Sequence, residues 1–107
     1  MYQKTIKLSG VTFKDAQKNI KRFGCRDVGC YTLVREPNNP HDRNAIHVEL
    51  AGHFFGYVPR QDAAELAPLM DSGRSFIAYF VNRNEHPLHD IVGLTVRIVE
   101  IAQEEAA

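Results

Sequence analysis

Three groups of residues in this sequence could do chemistry: two cysteines, five histidines and the run REPNNPHDRNAIHV, Arg35 to Val48. Cys25 or Cys30 beside a histidine would make a thiolate nucleophile. Neither carries a flanking signature of that chemistry, and a lone cysteine more often serves as a small core residue. His86 and His89, in HPLH, are three apart, and four residues separate the cysteines. Structural zinc asks for tighter CxxC hooks or a matched second pair, so this spacing does not support a metal site. Neither GxGxxG nor GxxxxGK[ST] is present, which excludes the common phosphate-cradling loops. No catalytic residue is assigned, and the chain reads as a binding module rather than an enzyme.

The run from Arg35 to Val48 is different. Pro37 and Pro40 fix two backbone angles and push Glu36 and Asn39 out of helical conformation. Asn38, Asn39, Asp42 and Asn44 can bond the local backbone in Asx-turns. Turn-making therefore accounts for most of the run. His41 and Asp42 are the two residues the shape does not obviously need. A planar imidazole can stack on a base, and a carboxylate can accept a hydrogen bond from a sugar hydroxyl.

These residues need a scaffold. The chain has 107 residues, 44% of them hydrophobic and 24% charged, which suits one domain, expected over residues 1–102, with a frayed tail at 103–107. No apolar run approaches the ~18 residues of a membrane span. The N-terminus has no apolar signal-peptide core, so two reduced thiols in a cytoplasmic protein are expected. Net charge is zero, but residues 1–60 hold ten Lys and Arg against five Asp and Glu, and residues 61–107 hold three against eight. A basic half can face phosphates even in a neutral chain.

YQKTIKLSG reads as a first strand. VTFKDAQKNIKRFG reads as a helix opened by Thr12 and Asp15 as a capping box, with Ala16, Ile20 and Phe23 on one face and Gly24 ending it. DVGCYTLVRE and NAIHVEL alternate as strands, and AG turns the second into HFFGYV, where Gly56 suggests a bulge or a close backbone approach. PRQDAAELAPLMDSG is helical. Pro68 predicts a break, with a short helix over 60–66 and a new turn starting at the proline. RSFIAYFVN and IVGLTVRIVEI add two strands. About six strands with two flanking helices predict a mostly β (α+β) domain built as a small OB-like or SH3-like antiparallel β-barrel.

LVREPNNPHDRNAIHVEL followed by FFGYVPRQDAAELAPLMDSG resembles the HIRAN domain, whose members carry REPxNPxDxNAIxV, a G-[YH]-[ILV]-P segment and an A..LA.L.D.G helix. The likeness runs from about Gly10 to at least Gly73. It implies an OB-like barrel that occurs fused to SNF2-type helicases, beside nucleases, or alone, and that in one studied type binds the free 3′ end of single-stranded DNA. On the matching positions it implies that Phe13, His41 and Tyr57 stack on bases. It implies that Asp42 holds the 3′ hydroxyl and it matches Arg60 to a basic position, whereas Lys14 replaces a second aromatic; as a nucleic-acid-binding module the chain would use Lys14, Arg43 and Arg60 to meet phosphates. His41 stands where end-binding relatives have an aromatic, and Thr12 replaces a basic residue. Zinc has been associated with the family, although no ligand set for it is evident here.

The expected function is a non-catalytic nucleic-acid-binding module that recognises single-stranded DNA at 3′ ends in repair or replication-fork processing. The alternative is a protein-interaction module that docks on a helicase or nuclease without touching DNA. No membrane partner is expected.

Overall fold

The computed structural model describes residues 1–102. Its strands are β1 (Gln3–Lys7), β2 (Cys30–Arg35), β3 (Ile46–Leu50), β4 (His53–Tyr57), β5 (Ser75–His86) and β6 (His89–Ile101). Helix α1 (Ala16–Phe23) lies between β1 and β2, and α2 (Arg60–Asp71) between β4 and β5. A 3-10 turn at Arg26–Val28 joins α1 to β2. The strands form one antiparallel sheet in the order β1-β6-β5-β2-β3-β4.

Period-two alternation chooses the buried face. Tyr31 and Leu33 of β2, Ile46 and Val48 of β3, and Val92, Leu94, Val96 and Ile98 of β6 all point inward and are buried. Ala63, Leu66 and Ala67 of α2 and Ala16 and Ile20 of α1 are also buried. The curled sheet closes where its two edges meet. Beyond β1, the Ser9 N–H donates to the Tyr57 carbonyl and the Tyr57 N–H to the Ser9 carbonyl, both at 2.8 Å. This bridge seats the turn after β1 beside the end of β4.

Gly56 makes the closure possible. Its φ is +144°, and a Cβ there would lie 2.8 Å from the Ser9 carbonyl oxygen. The β3–β4 register also shifts at this point, pairing Val48 with Gly56 but Glu49 with Phe54. The residue therefore serves both roles expected of it, a bulge and a close backbone approach.

Two expectations about helices are corrected. Thr12 and Asp15 do not form a capping box: Thr12 lies in a turn, and Asp15, the residue before α1, makes no side-chain cap. The helix starts late because Lys14 takes a left-handed φ of 50°, which no helical turn can contain. Pro68 does not divide the second helix either; α2 is continuous from Arg60 to Asp71. The proline removes a bond to the carbonyl of Ala64, and both residues lie on the exposed flank, where water can satisfy that oxygen.

Candidate nucleic-acid interface

The turn after β1, the loop from Glu36 to Ala45 and the end of β4 converge on an open groove of about 690 Å³, lined among others by Phe13, Lys14, His41, Asp42, Tyr57 and Arg60. Six of the seven residues singled out from the sequence thus share one groove. The seventh, Arg43, is exposed on the same loop but does not line it.

Phe13 is 57% exposed despite its size. Its ring meets Tyr57 edge to face, with centroids 6.4 Å apart. Gly10 allows this approach: a Cβ there would lie 3.0 Å from the Tyr57 ring and 3.1 Å from the Phe13 ring, and its φ is +61°. The Lys14 ammonium sits 4.7 Å above the ring of Phe54, a cation–π contact that holds the cation at the rim.

The loop is built as its composition suggests. Asn39 Oδ1 accepts the backbone N–H groups of His41, 2.9 Å, and Asp42, 3.2 Å, and Asp42 Oδ1 accepts that of Asn44, 2.9 Å. The Glu36 N–H donates to the Ala45 carbonyl at the base of the loop. Asp42 makes the Asx-turn open to it from its residue type, so it serves the shape as well as remaining available to a ligand. Its two oxygens divide the work. Oδ1 closes an Asx-turn, while Oδ2 lies 3.6 Å from Arg60 Nε. Arg60 also donates to the His41 carbonyl, 2.8 Å, which ties the start of α2 to the loop.

Glu36 organises the groove from behind, and sequence reasoning missed this. Its Oε1 accepts both the Asn39 amide, 3.0 Å, and the Tyr57 hydroxyl, 3.1 Å, and its Oε2 meets His47 Nδ1. One carboxylate thus joins the loop wall, through Asn39, to the aromatic wall, through Tyr57. Partial burial pushes the Glu36 carboxyl up, but the hydrogen bonds from Asn39, His47 and Tyr57 outweigh it and hold the group below its ordinary value. Partial burial and donation to Glu36 raise the Tyr57 phenol. The available signal was an acid at the end of one strand and a histidine on the next. They meet because Val34 of β2 pairs with His47, which puts Glu36 diagonal to it, and Tyr57 joins them through the pairing of His47 with Tyr57 beyond the β4 bulge.

His86 and His89 face each other across the tip of the β5–β6 hairpin, with rings 4.7 Å apart. Among the described residues, no three His, Cys, Asp or Glu side chains are grouped to hold a metal. The residues do not fit the zinc associated with this kind of domain. Cys25 and Cys30 are free thiols. Among the described residues, no helix is long and apolar enough to cross a membrane.

A model of the HIRAN domain matches residues 6–99. The chain belongs to the HIRAN domain family. Similar curated proteins include a helicase-like transcription factor of Oryctolagus cuniculus, 51% identical over 41 residues, and a Fanconi-associated nuclease 1 homolog of Oryza sativa subsp. japonica, 48% identical over 44. Each match covers 37% of this chain but only 4% and 5% of the relative, so this HIRAN domain corresponds to a small part of either protein. Two crystal structures share the fold. A protein from Lactobacillus plantarum superposes with a TM-score of 0.68 at 24% identity, over 91% of this chain and 92% of that one. The HIRAN domain of human HLTF gives 0.66 at 19% identity, over 92% and 74%. The expected OB-like barrel is the observed fold.

Proposed function

We propose that this HIRAN domain is a non-catalytic module that binds single-stranded DNA and takes a free 3′ end into the groove beside Asp42. The family is one of nucleic-acid-binding modules. The observation that carries the reading is the convergence of two aromatic rings, an imidazole, an ammonium, a guanidinium and a half-committed carboxylate around one concave surface. Phe13, Tyr57 and His41 offer faces for bases, each stack contributing about 1–3 kcal/mol. Lys14 and Arg60 supply positive charge for phosphates, and Arg43 extends it along the loop. Asp42 Oδ2, beside Arg60 Nε at 3.6 Å, accepts a hydrogen bond from the terminal hydroxyl, while Oδ1 keeps the Asn44 N–H and the loop in place.

Fluorescence anisotropy with one oligonucleotide ending in a 3′ hydroxyl or a 3′ phosphate tests this. Tighter binding of the hydroxyl form, abolished by Asp42→Ala, is expected. Equal affinity for both ends removes the role of Asp42, and no binding at low salt removes the nucleic-acid reading.

The curated relatives are helicase-like and nuclease proteins, which favours work in repair or fork processing beside such a partner. A second reading, docking on that partner without DNA contact, draws on the acidic second half of the chain. Co-purification with a helicase or nuclease by a chain that binds no DNA would favour it.

A further inference from the structure

Most cations of the sheet, of α2 and of the turn that joins α2 to β5 are neutralised. Lys4 pairs with Asp62, Arg35 with Asp71, Arg74 with Glu100 and Arg83 with Glu85. The stretch from Lys14 to Arg26 departs from this pattern. It carries Lys14, Lys18, Lys21, Arg22 and Arg26 against one carboxylate, Asp15. All five cations are exposed, and among the described residues none has a carboxylate partner. Lys18, Lys21 and Arg22 stand on α1, and Lys14 and Arg26 flank it; dispersed surface charge kept for solubility would not concentrate unpaired members in one short stretch.

The position of that element gives the charge a direction. Lys14 lines the groove, and its ammonium rests on Phe54. From there α1 runs beside β4. The amide of Asn19, buried, donates to the Phe54 carbonyl at 2.8 Å. Farther along, Phe23 stacks on His53 at 5.1 Å, with the Arg22 guanidinium 5.1 Å above Phe23. Ala16, Asn19 and Ile20 face inward, so Lys18, Lys21 and Arg22 are left on the outer side. Eight residues of helix span about 12 Å. The surface leaving the groove is thus a cationic strip edged by the Phe23–His53 stack, with no opposing acid on the helix itself.

We propose that the outer face of α1, through Lys18, Lys21 and Arg22, is a phosphate track that carries the nucleic-acid strand onward from the groove. This rests on the nucleic-acid reading of the groove and adds a second surface. The groove takes the strand end, and α1 holds the backbone of the following nucleotides through charge alone, with no preference for their bases. Each single-strand phosphate contact contributes about 0.7 to the slope of log affinity against log salt.

The experiment measures salt-dependent affinity of the full chain for 3-mer and 12-mer deoxythymidine oligonucleotides. A triple variant, Lys18→Glu, Lys21→Glu and Arg22→Glu, is measured alongside. If the 12-mer binds the unchanged protein at least tenfold tighter than the 3-mer, and the variant loses that gain and about two units of salt slope while keeping its 3-mer affinity, the track is supported. Equal affinity of the unchanged protein for both lengths overturns the track and leaves the groove standing. So does a variant that binds the 12-mer as before. Absence of binding to either length overturns the groove and the track together. Competition by polyglutamate as effective as that by oligonucleotide, removed by the variant, overturns the assignment in favour of an acidic protein partner. Lys18→Ala, Lys21→Ala and Arg22→Ala provide the same reading should the glutamates unfold the helix, since alanine favours helix.

Discussion

Two regions of this molecule expose an aromatic ring near an arginine, and only one of them has the form of a site. On the outer face of the sheet, Tyr79 is 45% exposed and pairs in register with Cys30 on one side and Arg97 on the other. Among the described residues, Arg97 reaches only the Thr5 hydroxyl, at 3.3 Å. In the groove, Phe13 is similarly exposed, but it stands against Tyr57, whose hydroxyl is held by Glu36, which also holds Asn39 and through it the backbone of His41 and Asp42. The first region is a ring on a flat surface; the second is a ring in a concave frame whose walls share one carboxylate. An exposed aromatic and a cation do not make a binding site by themselves. Fixed orientation does, because ordering costs are met before the ligand arrives.

Breaking the closure of the barrel has the largest expected effect. Gly56→Ala drives a Cβ toward the Ser9 carbonyl at a backbone angle that alanine resists, and about 3 kcal/mol of stability is lost. Chemical denaturation measures it. A loss below about 1 kcal/mol would mean that the Ser9–Tyr57 bridge yields easily and does not frame the groove.

Removing the shared carboxylate comes next. Glu36→Ala leaves the Asn39 amide, the Tyr57 hydroxyl and the His47 ring without their acceptor, at a cost of about 2 kcal/mol. DNA affinity should fall with it although Glu36 does not line the groove. Single-ring variants are milder. Phe13→Ala or Tyr57→Ala should weaken binding by about 1–2 kcal/mol, roughly five- to thirty-fold, whereas Tyr79→Ala should stay within about twofold. A Tyr79 effect as large as that of Phe13 would erase the distinction between the two regions.

The pH dependence has a definite sign. Glu36 is held below its ordinary value of 4.5 in the folded state. Its contribution is complete above that pH and is lost as pH falls through the lower folded value. The difference in melting temperature between the unchanged protein and Glu36→Ala should therefore be constant above pH 4.5 and narrow below it. A gap that widened in acid would contradict the network.

Much of the frame was legible in the sequence, for identifiable reasons. The loop announced itself because Pro37, Asn39, Pro40 and Asp42 act on their own neighbours, and the Asx-turns of Asn39 and Asp42 form between residues two apart. Strand alternation gave the buried faces of β2 and β3, and the Ala51–Gly52 turn, both residues at positive φ, gave their hairpin partner. What failed depended on geometry that no local pattern encodes. Lys14 adopts a left-handed angle that delays α1, and the exposed flank of α2 tolerates Pro68. Glu36 went unrecognised because its contacts cross strands: His47 meets it through the β2–β3 register, and Tyr57 reaches it only once the β4 bulge has set the pairing of His47 with Tyr57. Phe13, by contrast, sits three residues from its glycine, Gly10, and the likeness to HIRAN domains pointed to it directly.

The most direct test of the central claim is an NMR titration of the isotopically labelled chain with a short single-stranded oligonucleotide bearing a 3′ hydroxyl. The account predicts saturable shifts of the backbone amides of Gly10, Lys14, His41, Asp42, Tyr57 and Arg60, with those of Tyr79 and Arg97 unmoved. Shifts centred on Tyr79 and Arg97, or none at any amide at low salt, would contradict it.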